Sequence, residues 1–364
     1  MSSWRECKLG EIIEVKHGYA FKGENITTEK TSDILVTPGN FNIGGGFKSS
    51  KFKYFNGSYP EDYIFSEGDI VVTMTDLSKE GDTLGYSAKI PKCEDCKYLH
   101  NQRVGLVKFI SDDVFKDFIY WLMRTREYQS FIVGAATGTS IRHTSPKLIK
   151  EFEFKLPPLE EQKAIAEVLS SLDDKIDLLH RQNHTLESLA QTLFRQWFIE
   201  EAKEEWEEGT VGDIAILKSG KSRPKEESEI NNIPIYGGNG ILGFTNQHNI
   251  DGETIIIGRV GAYCGSLYME NKPIWVSDNA LIAKPKNALY SKYLFYILKE
   301  NELNSMAEGS SHPLLTQEPI KSIQIFVPPE LKLIEFNEQV NTWYEKTNQN
   351  KKQIKILENL RDTL

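Results

Sequence analysis

Several groupings in this sequence have the residue types and spacing that reactive or ligand-binding sites use. Cys93-Glu94-Asp95-Cys96, with His100 following, has the spacing of half a metal site. Structural zinc takes four ligands and Cys7 would have to come from far away, so these are expected to be ordinary thiols in a surface loop. His180 and His184 stand four apart on an expected helix. With no third ligand near, they read as solvated helix positions. Ser219-Gly220-Lys221-Ser222 ends like a phosphate-binding loop, but the motif's first glycine position holds Ala215. Pro157-Pro158 and Pro328-Pro329 follow Leu156 and Val327, whereas an adenine methyltransferase needs Asn or Asp before such a pair. Gly44-Gly45-Gly46 lacks the helix pattern of a cofactor-binding turn. No catalytic residue, metal site or cofactor site is assigned.

A second set of residues suits nucleic acid. Phosphates are held by Lys, Arg and small donors, and base edges are read by Arg or Lys at guanine and by Asn or Gln at adenine. Lys16, His17, Tyr19 and Lys22 form one cluster, and Lys218, Lys221, Arg223 and Lys225 form another after a matching short strand. Asn40 and Asn239 lie in aligned Gly-rich turns, where they suit base readout or simply the turn itself. Arg103, Arg142, His143, Arg259 and His312, in polar segments flanked by Gly or Ser, complete the candidates.

The elements that must position these residues are written twice. At 364 residues and 41.6 kDa, two or three domains are expected. Hydrophobic content of 39% and charged content of 26% exclude wholesale disorder and collagen-like chains. No stretch approaches the roughly 20 apolar residues of a membrane span, and the charged start MSSWRECKLG does not read as a secretory signal. With four cysteines, a cytoplasmic location is the expectation. The net charge of −9 sits almost wholly in residues 156–209, at −8, while residues 1–155 are neutral. Both large blocks are therefore free to present local basic faces.

WRECKLGEIIEVKHG from Trp4 aligns with WEEGTVGDIAILKSG from Trp206, an offset of 202. Residues 138–193 align with 309–364 at an offset of 171, so the first copy carries about 31 residues that the second lacks. Each copy opens with short β-branched runs punctuated by Gly, Asn and Pro, which read as strands, and FKDFIYWLM and YSKYLFYIL read as short buried helices. The Pro-Pro pairs end a strand and start a helix. The helix after Pro158 has a heptad pattern with Leu172, Leu179 and Leu186 at d and Ile176 and Asn183 at a. The second has Trp343, Asn350 and Leu357 at d and Ile354 at a. Antiparallel pairing would bring Asn183 to Asn350 and Leu179 to Ile354, a two-fold consistent register. The alternative is that each helix packs on its own domain.

The fold expected is α+β: two similar globular domains separated by two long helices in an antiparallel coiled coil, with pseudo-two-fold symmetry. The boundaries read as 1–155, 156–200, 201–327 and 328–364. With that layout the chain resembles the specificity subunits of Type I restriction–modification systems. The resemblance rests on LPPLEEQKAIAEVLSSLDDKIDLL at 156–179, its echo VPPELKLIEF at 327–336, LESLAQTLFRQWF at 186–198, and the domain openings WRECKLGEII and WEEGTVGDIA. The motifs YGGNGILGFT and IGRVGAYCG also look familiar from such domains. Residues Phe194 to Glu200 have no second copy here, which departs from a full repeat.

The resemblance implies a non-catalytic subunit that binds a bipartite, asymmetric site on double-stranded DNA, one half per target-recognition domain. It implies two methyltransferase (modification) subunits as partners, with restriction/translocase subunits, and no membrane. S-adenosylmethionine, ATP and Mg would be held by those partners and no cofactor by this chain. The competing readings are a coiled-coil scaffold with no DNA role and a self-contained methyltransferase or nuclease.

Overall fold

The computed structural model describes every residue except 1–3, 77, 79, 139–140, 203–205, 226–231 and 310–312. Its strands form where the sequence runs apolar. Ile70–Thr73 (IVVT) and Thr254–Gly258 (TIIIG) are buried at every position, as in a strand covered on both faces. Successive side chains go to opposite faces. Ile70 and Val72 join a cluster with Ile13, Val15 and Val107, while Val71 faces Ile34, Val36 and Val104. Ile255 and Ile257 divide from Ile256 in the same way.

Two compact units result, 1–176 with 356–364, and 177–355. In the first, an antiparallel four-stranded sheet runs in the order Ile13–His17, Val104–Phe109, Ile70–Thr73, Ser87–Lys89. A five-stranded sheet contains the parallel pair Asp33–Val36 and Lys97–His100, and Arg5–Lys8 pairs with Glu153–Leu156. The second unit has a four-stranded sheet ordered Ala215–Ser219, Ala280–Pro285, Thr254–Gly258, Leu267–Glu270. Beside it lie a three-stranded sheet with the parallel pair Ile233–Gly237 and Trp275–Val276, and the pair Glu207–Thr210 with Gln324–Val327.

The repeat extends to register. Arg5 opposes Leu156 and Glu207 opposes Val327, the partners required by offsets of 202 and 171. Lys16 opposes Leu106 and Lys218 opposes Ile282. The first unit's surplus residues supply the additional strands Ile26–Thr27 and Ile64–Phe65 and the loop around Cys93. That loop corrects one expectation: Cys93 and Cys96 are joined in a disulfide and are not free thiols. The intervening turn brings their Cα atoms to 5.5 Å, within bridging range.

Two helices dominate, Leu159–Arg195 of 37 residues and Glu330–Arg361 of 32. At 1.5 Å per residue the first is about 55 Å long. Acidic residues occupy both first turns, where the helix dipole favours them. Buried Gln162 ties the first helix to its domain: its Oε1 accepts from Phe115 N (2.8 Å), and its Nε2 donates to Pro157 O (2.9 Å).

Within the second unit the two helices run antiparallel. Phe336 packs against Phe194, Trp197 and Phe198. Further along, Asn350 Nδ2 donates to Asn183 Oδ1 at 2.8 Å and to Gln182 Oε1 at 2.9 Å. Leu179, Asn350 and Ile354 are buried, and Asn183, Leu186 and Trp343 are half-buried. In the first unit Ile176 is buried and Leu172 and Leu357 are half-buried. There Asp173 accepts from Arg124 Nη1 at 2.9 Å and from Arg361 Nη1 at 2.5 Å. The compact units thus cut across both helices, whereas the boundaries read from sequence set the helices apart from the domains.

Candidate nucleic-acid interface

In each unit the candidate residues gather where the strands of the four-stranded sheet end. In the first unit Gly18 lets the chain cross that end. A Cβ there would lie 2.1 Å from Asn101 O, so the backbone approaches as only glycine permits. Tyr19 N then donates to His100 O at 2.8 Å. Met74 N donates to Arg103 O (2.9 Å), Thr144 N donates to Met74 O (3.0 Å), and Arg142–His143 pairs with Thr75–Asp76. His17, Tyr19, Arg103, Arg142 and His143 are thereby brought to one end of the sheet. His17, Arg103 and His143 are exposed there, and Lys22 is exposed just beyond.

The second unit repeats this frame with other side chains. Gly220 is the crossing point, its added Cβ 2.0 Å from Ser277 O, and Lys221 N donates to Val276 O. Arg259 N donates to Asn279 O (3.1 Å), Leu315 N donates to Arg259 O (2.9 Å), and Val260 bridges Leu314. Lys218, Lys221, Arg223 and Lys225 are exposed, and Arg223 Nη2 lies 3.4 Å from Leu242 O. Asn239 is exposed in the hairpin turn between Ile233–Gly237 and Gly240–Thr245. Arg259 is half-buried, and its Nε is shut off from solvent without a hydrogen-bond partner.

Two candidates are already engaged within the protein. Asn40 is 1% exposed: its Oδ1 accepts from Thr37 N (3.0 Å) and Oγ1 (3.1 Å), and its Nδ2 donates to Lys48 O (3.3 Å). It caps a turn and has no face for a base edge, which corrects the expectation. Lys16 Nζ donates to Asp62 O at 2.8 Å and lies 4.5 Å from the Tyr63 ring centre. His312 lies outside the described residues.

Sequence reasoning passed over the acidic members of this surface. Asp76 is buried at the first sheet end, where its Oδ1 accepts from Ser78 N and its Oδ2 from Thr83 N and Oγ1. Burial pushes its carboxyl up, but these hydrogen bonds outweigh that and hold it below the usual carboxylate range. Asp278 meets Ser222 Oγ at 3.5 Å in the second unit. What could have flagged them is adjacency: Asp76 pairs with candidate Arg142 across the sheet end, and Asp278 precedes Asn279, whose carbonyl accepts from candidate Arg259 N. His100 is buried behind the first site with its Nε2 2.8 Å from Val104 O. Burial, aided by Lys16 and His17, depresses its pKa to about 4, so the ring is neutral at pH 7. Among the described residues no three His, Cys, Asp or Glu side chains cluster to hold a metal, and no helix is long and apolar enough to cross a membrane.

Comparison with known proteins places this arrangement. The family model for the Type I restriction modification DNA specificity domain matches twice, over residues 1–188 and 203–363. The MjaIX type I restriction enzyme specificity subunit of Methanocaldococcus jannaschii is 27% identical over 302 residues, covering 70% of this chain and 68% of its own length. A type I specificity subunit candidate of Mycoplasma genitalium is 26% identical, covering 100% of this chain and 92% of its own length. The crystal structure of a Type-I restriction-modification system S subunit from M. genitalium shares the fold, with a TM-score of 0.62 and 21% identity over 100% of this chain and 95% of that one. The duplicated sheet, the paired helices and both family matches agree: the chain belongs to the family of Type I restriction–modification specificity subunits, which are non-catalytic.

Proposed function

We propose that this chain recognises a bipartite, asymmetric sequence in double-stranded DNA, one half-site per unit, and carries the modification subunits that methylate adenine there. The supporting observation is the pair of sheet ends, matched hydrogen bond for hydrogen bond yet lined by different side chains. A shared frame with different residues suits two half-sites of unlike sequence. The cations on these ends meet phosphate, while the acid-rich residues 156–209 repel it and suit contacts with protein. On this reading S-adenosylmethionine, ATP and Mg belong to the modification and restriction partners, and the complex works in the cytoplasm.

Methylation-sensitive sequencing of a genome expressing the chain with its modification partner tests the proposal. The expected result is adenine methylation at one two-part motif, absent without the chain. Unchanged methylation on withholding the chain would refute it. Neutralising Lys218, Lys221 and Arg223 together should flatten the dependence of the complex's affinity on salt. Each lost phosphate contact removes about 0.9 from the log–log slope.

A further inference from the structure

The two sheet ends differ most in one cross-strand pair. In the first unit Thr75 opposes His143, with Thr75 Oγ1 3.2 Å from His143 Nδ1. Thr73, opposite Val104, corresponds to Gly258, opposite Ala280, a local offset of 185. With the offset of 171 further along, these positions become Val260 and Leu314, which form the same antiparallel bridge in the second unit. A polar pair has become an apolar one, and each residue is 37% exposed. Tyr263 stands where the first unit has Ser78 and is 50% exposed. Its Cβ lies 3.8 Å from the Cβ position of Gly238, in the turn of the hairpin whose second strand carries Leu242, 39% exposed.

None of these four side chains is among the buried residues of either hydrophobic core of the second unit. Val260, Tyr263, Leu242 and Leu314 all present apolar surface to water, a poor environment for them. Around them stand the cations Lys221 on the crossing strand, Arg223 beside Leu242 O at 3.4 Å, and Arg259 next in sequence to Val260, together with the exposed carboxylate of Glu308 across the bridge from Leu314. An apolar patch bordered by cations complements a duplex groove, where phosphates line the edges. The apolar group that the major groove offers between them is the C5 methyl of thymine.

We propose that the second unit reads thymine methyl groups through Val260, Leu314 and Tyr263, whereas the first reads its half-site through polar groups around Thr75 and His143. This rests on the DNA-recognition reading above. It assigns to the second half-site at least one A·T pair recognised by apolar contact.

The test uses the full chain assembled with its modification subunits. Methylation sequencing first gives the motif, and sequencing with the Val260→Thr/Leu314→His variant, which installs the first unit's pair, identifies the half-site that the second unit reads. Duplexes are then made with deoxyuridine in place of thymidine in one half-site at a time. This deletes only the methyl groups and leaves every hydrogen-bonding edge intact. Affinity is expected to fall about three- to fivefold per contacted methyl in the second unit's half-site, the effect of burying one such group, and to stay unchanged in the other.

Equal losses in both halves, no loss in either, an unaltered motif in the variant, or a half-site without an A·T pair would each overturn the inference. Should the assembled complex show no sequence preference at all, the recognition reading itself would fall. The uracil measurement is made on the unaltered protein, so a folding defect in the variant cannot imitate its result.

Discussion

Replacing Asp173 with Ala should release the last residues of the chain from the first unit. Arg124, whose side chain is 6% exposed, lies 4.3 Å from the Trp121 ring centre, donates to Tyr120 Oη and Gly44 O, and has Asp173 as its counter-ion. Arg361 reaches the other carboxylate oxygen. Removing the shared anion leaves one sealed guanidinium beside another, and breaking a buried pair in this way costs about 3–5 kcal/mol. Arg361→Ala is milder. It keeps the Arg124–Asp173 pair and forfeits a charge-assisted bond of about 1.5–3 kcal/mol.

Burial pushes the Asp173 carboxyl up, but Arg124 and Arg361 outweigh that and hold it below its ordinary value. The contribution is therefore complete above the unfolded carboxyl's pKa of about 3.9 and is lost as pH falls through the lower folded value. Hydrogen exchange of the amides in residues 356–364, followed alongside urea unfolding, reads the effect. Asp173→Ala should strip protection from that segment while the strand Thr254–Gly258 keeps its own. Equal costs for Asp173→Ala and Arg361→Ala, or unchanged protection, would refute the account of the cluster.

Three further outcomes follow from the same contacts. Because the pKa of His100 falls from an unfolded value of about 6.5 to about 4, the unfolded chain binds the extra proton. Stability should drop as pH falls from about 6.5 to about 4, and His100→Gln should flatten that part of a urea-midpoint titration. Gly18→Ala and Gly220→Ala each drive a Cβ to about 2 Å from a carbonyl oxygen. Each should destabilise its own unit by more than the about 1–3 kcal/mol of ordinary overpacking, measured by exchange protection of the adjoining sheet. Asn350 is fully buried with its Oδ1 unpaired. Asn183→Leu/Asn350→Leu should raise the unfolding midpoint while loosening helix register, seen as mixed products when engineered cysteine pairs are cross-linked.

The repeat was readable because strand pairing preserves it. Offsets of 202 and 171 in the sequence reappear as opposed pairs in the two short sheets, since slipping one residue would turn every side chain to the wrong face. The heptads were readable for a similar reason, as apolar spacing names the buried stripe of a helix. Asn40 was misread because Gly-rich context resembles a binding loop. Thr37 three residues before it was the better signal, that of a cap reaching back to its own turn. The Arg124–Asp173–Arg361 cluster lay beyond reach, being built from three distant segments whose charges look like solvated surface. The apolar character of the second sheet end was equally hidden, for the exposure of Val260 and Leu314 is set by the fold and not by their residue types.

Residues 177–355 form the second unit without a break, whereas the first is assembled from 1–176 and 356–364. The second unit is thus an insertion within the first. A gene can exchange such an uninterrupted cassette whole and bring in a new reader without touching the other. A premature stop a few codons before the end would have an inverted effect, damaging the unit encoded at the start and sparing the one translated last.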